Sequence, residues 1–181
     1  MKFPKTPKGI YSRIEQYKKV LRSEKRKFGC YDDSYGRRLL IGPLYLLAND
    51  TDGALKYYKW YEKNFPDDSG EPFMYLCWTL TLYRAGQIEK AKTKLMRTMF
   101  SNLYILPFLF KENQSDYHFR PGSNWEANEY LEFLPVEYLA QWREEEIRWA
   151  REIYYSEDAT MFRSRYVEIE MELTNERPGP R

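Results

Sequence analysis

Apolar positions recur at the three- and four-residue spacing of helices almost throughout this chain, and strand-like alternation is weak. Ser12 and Glu15 have capping-box spacing, so a first helix is expected to open near Ser12. It carries the stripe Ile10, Ile14, Tyr17 and Leu21 and stops at Gly29. A second helix is expected over residues 35–48, apolar on most sides through Leu39, Leu40, Ile41, Leu44, Leu46 and Leu47, with Pro43 as a kink. Helices follow over 53–64, 72–85 and 88–100, separated by the breakers Pro66 and Gly86. Residues 103–110 read as a short buried helix broken at Pro107, and 111–122 as a polar loop. Ser123 and Glu126 form a second capping box, opening a helix through Trp125, Tyr130, Leu131 and Leu134 that Pro135 ends. A long helix through Trp142, Ile147, Trp149 and Ile153 follows. The last carries Phe162, Tyr166, Ile169 and Leu173, and the tail 175–181 is expected to be disordered.

Within this pattern one helix-pair unit is written twice. The first copy holds Gly42, Tyr45, Asp52, Gly53, Ala54, Tyr58, Tyr61 and Pro66. The second holds Trp78, Thr79, Leu82, Gly86, Ala91 and Leu95. Ala54 and Ala91 lie 37 residues apart, inside the period of helical solenoids. Gly42 and Thr79 are small where the first helix of a pair approaches its partner, and Ala54 and Ala91 are small at the matching place on the second. Tyr45 and Tyr58, then Leu82 and Leu95, fill the space beside them.

These residues resemble the tetratricopeptide repeat (TPR). Gly42, Tyr45, Ala54, Tyr58 and Pro66 match its pattern, while Tyr61 stands where that family favours alanine. The chain is also similar to a group of bacterial tetratricopeptide-like proteins. They share an apolar-Pro-apolar segment after the second pair (NLYILPFLF here), then a PGS cap and a Trp-bearing helix. The resemblance implies an all-α, TPR-like superhelix with extra terminal helices, and it implies no activity. The expected organisation is one domain over 1–174. It comprises a basic N-terminal helix over 10–28, repeat pairs over 35–66 and 70–101, and C-terminal helices over 123–173.

Composition alters this picture in two ways. Aromatic residues make up 18% of the 181 residues, 17 of them Tyr, which suits both a helix-packed core and a binding surface. Charge is also uneven. Residues 1–28 hold ten basic against two acidic residues, +8, so the remainder is −6 on a chain of net +2. Lys18, Lys19, Arg22, Lys25, Arg26 and Lys27 are thus a candidate basic patch, for nucleic acid or an acidic partner. Cys30 and Cys77 are not in a CxxC pair and are expected to be buried free thiols in a reducing compartment. No apolar run suits a signal peptide or a membrane span, so a cytoplasmic protein without membrane contact is expected.

Candidate chemistry is sparse. His118 is the only histidine, flanked by Tyr117, Phe119 and Arg120 in a loop expected to pack on the body. Glu144, Glu145 and Glu146 read as a solvated face. No phosphate loop, HExxH or EF-hand spacing occurs, and no cofactor or metal is expected. The better candidate is the surface lined by first helices: Leu39, Leu46, Leu47, Phe73, Leu76, Leu80 and Tyr83, with Arg84 at its edge. Such an apolar surface must be covered, either by a partner helix or by the chain's own C-terminal helices, with self-coverage the favoured expectation. The sequence therefore points to a non-catalytic protein-interaction or scaffold module with a protein or peptide partner. A nucleic-acid-associated protein using 1–28 is the alternative.

If Ala54 and Ala91 sit where paired helices touch, Ala91→Leu overpacks that contact and costs on the order of 1–3 kcal/mol. Thermal melts matching the parent would place Ala91 at the surface and the repeat out of register.

Overall fold

The computed structural model describes residues 3–31, 33 and 35–176; among them the structure is all helical, with no strand. Helix α1 spans Pro7–Phe28, α2 Arg37–Leu47, α3 Thr51–Asn64, α4 Pro72–Arg84, α5 Ile88–Ser101 and α6 Ile105–Leu109. A 3-10 helix, Asn128–Phe133, precedes α7, Val136–Leu139, then α8, Glu144–Tyr154, and α9, Glu157–Glu176.

The first helix begins one and a half turns earlier than Ser12 suggests. The Thr6 hydroxyl accepts the Gly9 N–H at 3.2 Å and Pro7 occupies the first turn, where its missing N–H costs nothing. Gly29, at φ 74°, closes the helix by donating its N–H to the Lys25 carbonyl. Helix α2 runs through Pro43 and is capped from outside: the Asp33 carboxylate accepts the N–H groups of Arg37 and Arg38 at 2.9 and 2.6 Å.

The 37-residue period is visible in the backbone itself. Ala48, Asn49 and Asp50 donate to the carbonyls of Leu44, Leu46 and Tyr45 at 3.1, 2.9 and 2.9 Å. One period on, Ala85, Gly86 and Gln87 donate to Thr81, Tyr83 and Leu82 at 3.1, 2.9 and 3.0 Å. Asn49 and Gly86 both take the left-handed conformation this turn demands, at φ 55° and 70°. Ala54 and Ala91 are both fully buried. At Gly42 a Cβ would overlap the Tyr58 ring, and Tyr58 in turn stacks on Trp78 at 4.3 Å between centroids. The period also reaches back into α1: Leu21, Tyr58 and Leu95 stand one period apart, each 1% exposed. Helix α1 thus stands one period before α3, and α1, α3 and α5 form one layer against α2 and α4.

Helix α4 is buried from Pro72 through Leu82. Its outer side is covered by the chain's own residues 130–154. Phe73 meets Tyr138 edge-on at 4.9 Å, and its N–H donates to the Tyr130 hydroxyl at 3.2 Å. Tyr83 packs on Trp149 at 4.6 Å between centroids. At the C-terminal end of α4, Arg84 pairs with Glu146 through bonds of 2.7 and 3.1 Å and also donates to the Gln141 carbonyl. Glu146 further accepts the Arg143 N–H at 2.8 Å, opening α8.

Several expectations are corrected here. Glu146 is 1% exposed and does not belong to a solvated face, although Glu144 and Glu145 do. Ser123 and Glu126 do bond to each other, at 3.2 Å, yet no α-helix follows. The Asn102 amide holds the carbonyls of Trp125 and Ala127 at 2.6 and 3.1 Å, keeping Ala127 extended, and the chain enters a 3-10 turn instead. Trp142 lies before α8 rather than in it, and Pro107 sits inside α6 without ending it. The stripe on α9 does not cover α4. Phe162, Ile169 and Leu173 are 53%, 40% and 38% exposed, and only Ala159 is fully enclosed. Tyr166 packs instead on Phe100 at 5.4 Å, and Arg163 donates to the Tyr154 carbonyl at 2.9 Å. Of the tail, Asn175 and Glu176 still belong to α9, and 177–181 lie outside the described residues.

Arg84→Met leaves the Glu146 carboxylate enclosed without its counter-charge and is expected to cost on the order of 3 kcal/mol in urea unfolding. The double variant Arg84→Met/Glu146→Leu should recover much of that loss; a single variant as stable as the parent would show the pair to be inconsequential. A second test uses acid. Burial acts to raise the Asp68 pKa, but its bond to Arg38 at 2.6 Å and the Gly70 N–H outweigh this and hold it below 3.8. A lowered carboxylate contributes stability that is complete above its unfolded pKa and is lost as pH falls through the folded one. Asp68→Asn should therefore flatten part of the stability decline below about pH 4; parallel acid titration curves for the two proteins would contradict this.

Candidate binding cleft

The predicted apolar surface is inside the protein. Leu39, Leu46, Phe73, Leu76 and Leu80 are each at most 5% exposed, and Leu47, Tyr83 and Arg84 are half-buried. Leu46, Phe73, Leu76 and Leu80 share one cluster with Leu131, Tyr138, Trp142 and Tyr154, so the chain itself fills the space a partner helix would take.

The basic patch divides. Lys19, Arg26 and Lys27 are exposed on α1, with Lys27 over the Phe28 ring at 4.9 Å. Half-buried Lys18, with Arg22, which is exposed and 3.7 Å from Glu15, forms one wall of a cleft of about 340 Å³. Leu21 and Tyr45 form its floor, Lys56, Tyr57 and Trp60 its other wall, and Tyr31 closes one end. Lys25 lies over Tyr31 at 5.3 Å. Gly53 opens the floor: a Cβ there would collide with Tyr45 and Asp50.

Each wall is held in place. Lys18 Nζ donates to the Tyr45 hydroxyl at 2.6 Å and to Glu15 at 3.2 Å, and it sits 5.1 Å from the Tyr45 ring centre. Burial acts to lower the Lys18 pKa, but the bonds to Tyr45 and Glu15 win and raise it, so this ammonium stays charged at neutral pH. Tyr57 donates its hydroxyl to the Arg38 carbonyl at 2.7 Å. Desolvation pushes its pKa well up, so it remains a neutral phenol. Trp60 is locked between Tyr31 and Tyr57, at 5.3 and 5.4 Å between centroids. At the rim, Tyr11 donates to Asp50 at 2.9 Å.

This arrangement presents positive charge and aromatic faces to a ligand. Three cations, Lys18, Arg22 and Lys56, surround aromatic faces in a preformed hollow at the lower end of ligand-pocket sizes. Such a hollow matches an anionic group carried on a flat or apolar stem. No nucleophile is paired with a base in it. His118 lies far along the chain in the 111–127 loop, exposed, 3.9 Å from Asp116. Its neighbours Tyr117 and Phe119 stack together, and Tyr117 meets Tyr104 at 5.3 Å, so the loop does pack on the body. Cys77 is buried, and desolvation pushes its thiol well up; Cys30 is exposed, contrary to expectation, because Gly29 ends α1 outside the core. Among the described residues no three His, Cys, Asp or Glu side chains group as metal ligands, and no helix is long and apolar enough to cross a membrane.

Tyr31, Tyr45, Lys56, Tyr57 and Trp60 were not singled out as site residues from the sequence. The period contains a signal that finds them: extending it one step back places α1 beside α3, which brings Lys18 and Arg22 opposite Lys56 and Trp60. No protein-family model, curated protein or solved structure matches the chain.

Proposed function

We propose that this chain is a tetratricopeptide-like, non-catalytic interaction module that takes up an acidic segment of a partner protein in the cleft between α1 and α3. The observation that carries the reading is the combination of Lys18, Arg22 and Lys56 with the rings of Tyr45, Tyr57 and Trp60 around one open hollow. The apolar surface that would receive a partner helix is filled by residues 130–154, which favours the opposite layer as the surface for a partner. A hollow of this size accepts one or two side chains. Charge supports the same direction. Helices α1, α3 and α5 carry eight basic against two acidic residues, three against two and four against one, together +10 on a chain of net +2.

The test is calorimetry with a peptide of about a dozen residues bearing Glu beside Phe. Binding should weaken about tenfold in Arg22→Glu and in Lys56→Glu, both surface substitutions, and should fall with added salt. Melting temperatures near the parent's would show that the fold is intact. Peptide affinity unchanged in both variants, or no binding to the parent, would remove the reading.

A further inference from the structure

We infer that the cleft between α3 and α5 is a second anion subsite, in register with the first, so that one acidic partner segment crosses α3 and is gripped on both sides. This rests on the reading of the α1–α3 cleft as a peptide site. The second cleft, about 620 Å³, repeats the first at every lining position except Tyr31 and adds Glu62, Trp78 and Gln87. Where the first has Lys18, Leu21 and Arg22 on one wall, one period on the second has Leu55, Tyr58 and Lys59. Where the first has Tyr45, Gly53, Lys56, Tyr57 and Trp60, the second has Leu82, Lys90, Thr93, Lys94 and Arg97. The repeat thus builds the same hollow twice and changes its chemistry, from an aromatic box with three cations to a cationic box.

Four cations line the second cleft, Lys59, Lys90, Lys94 and Arg97, against one carboxylate, Glu62. Lys94 is 7% exposed and lies 3.4 Å over the centre of the Trp78 ring. Its Nζ reaches Glu62 at 2.9 Å, and that carboxylate is 57% exposed on its outer side. Burial lowers the Lys94 pKa even with Glu62 beside it, and the Arg97 charge acts in the same direction. A carboxylate from a ligand has the chemistry of Glu62 and meets Lys59, Lys90 and Arg97 in the same cleft.

Spacing makes the two subsites one reader. Residues of α3 line both clefts, and a helix with its side chains is about 10–12 Å across, so the clefts on its two sides lie about that far apart. An extended chain advances about 3.3 Å per residue, which sets the two anions about three residues apart. The first anchor carries an aromatic neighbour for Trp60 and Tyr57, and the second is a bare carboxylate. A continuous polyanion fits less well, because Glu15 is paired with Lys18 of the first cleft and Glu62 with Lys94 of the second, and both carboxylates would repel a run of phosphates.

The experiment uses the full chain and fluorescence anisotropy with three labelled peptides: one with a single Phe–Glu anchor, and two with a second Glu placed three or seven residues further on. The parent should bind the three-residue peptide at least about tenfold more tightly than the single-anchor peptide, through the raised effective concentration of the second anion. Lys90→Glu/Arg97→Glu should abolish that gain and leave single-anchor binding unchanged, whereas Arg22→Glu should weaken all three peptides. Equal affinity for all three peptides, or a gain that survives in Lys90→Glu/Arg97→Glu, would overturn the second subsite while leaving the first standing. Failure of every peptide would overturn both. Tighter binding of a single-stranded oligonucleotide, lost in the same double variant, would replace the peptide with a polyanion.

Discussion

Burying α4 on every side is the constraint around which the rest of the molecule is arranged. The helix is apolar through its whole circumference, from Pro72 to Leu82, so two neighbours cannot enclose it. Helices α2, α3 and α5 take three directions, and the fourth is closed by the irregular segment 130–142 and α8. Several polar groups at that closure are matched in place, while the Tyr138 hydroxyl and the Thr79 hydroxyl on α4 are enclosed without a hydrogen-bond partner. Tyr130 bonds to Glu71 at 2.8 Å and accepts the Phe73 N–H, and Arg84 ties the far end to Glu146. Glu71 shows what this enclosure does to ionisable groups, since desolvation raises its pKa even with Tyr130 donating to it.

That closure decides which clefts stay open at the surface. In a helical-pair repeat the first helices line one side and the second helices the other. Here the first side is occupied by the chain's own aromatic residues, so the layer of α1, α3 and α5 is left facing outward with its clefts unfilled. The same layer holds the positive charge of the molecule. The opposite sign collects at the C-terminal end, where α9 has six acidic against two basic residues and leaves Phe162, Ile169 and Leu173 at the surface.

The period ties these features together. A turn that needs a left-handed residue occurs at Asn49 and again at Gly86, and the caps, the small contact residues and the cleft walls all follow at the same interval. Because geometry repeats while side chains do not, each cleft inherits position from the fold and chemistry from its own residues. Tyr57 and Lys94 occupy one position in two hollows, and one supplies a neutral ring where the other supplies a buried ammonium.

Local physics was readable along the chain. Apolar spacing placed α2 to α5 within a residue or two, and Gly42, Ala54 and Ala91 marked the close contacts, because helix packing there depends on side-chain volume at fixed offsets. Caps were less certain: Thr6 with Pro7 outcompeted Ser12 at the start of α1, and Ser123 with Glu126 formed its turn without a helix, since the Asn102 side chain had already fixed Ala127 as extended. The exposed state of α9 and the burial of Glu146 were beyond the sequence, as both depend on which element reaches α4 first. The cleft was half legible. Lys18 and Arg22 showed as charge, but Tyr45, Tyr57 and Trp60 read as ordinary helix core, and only the packing of α1 beside α3 made them one site. Sequence spacing fixes which residues share a helix face; which faces meet is a competition for buried area across the whole chain, and that is settled only in three dimensions.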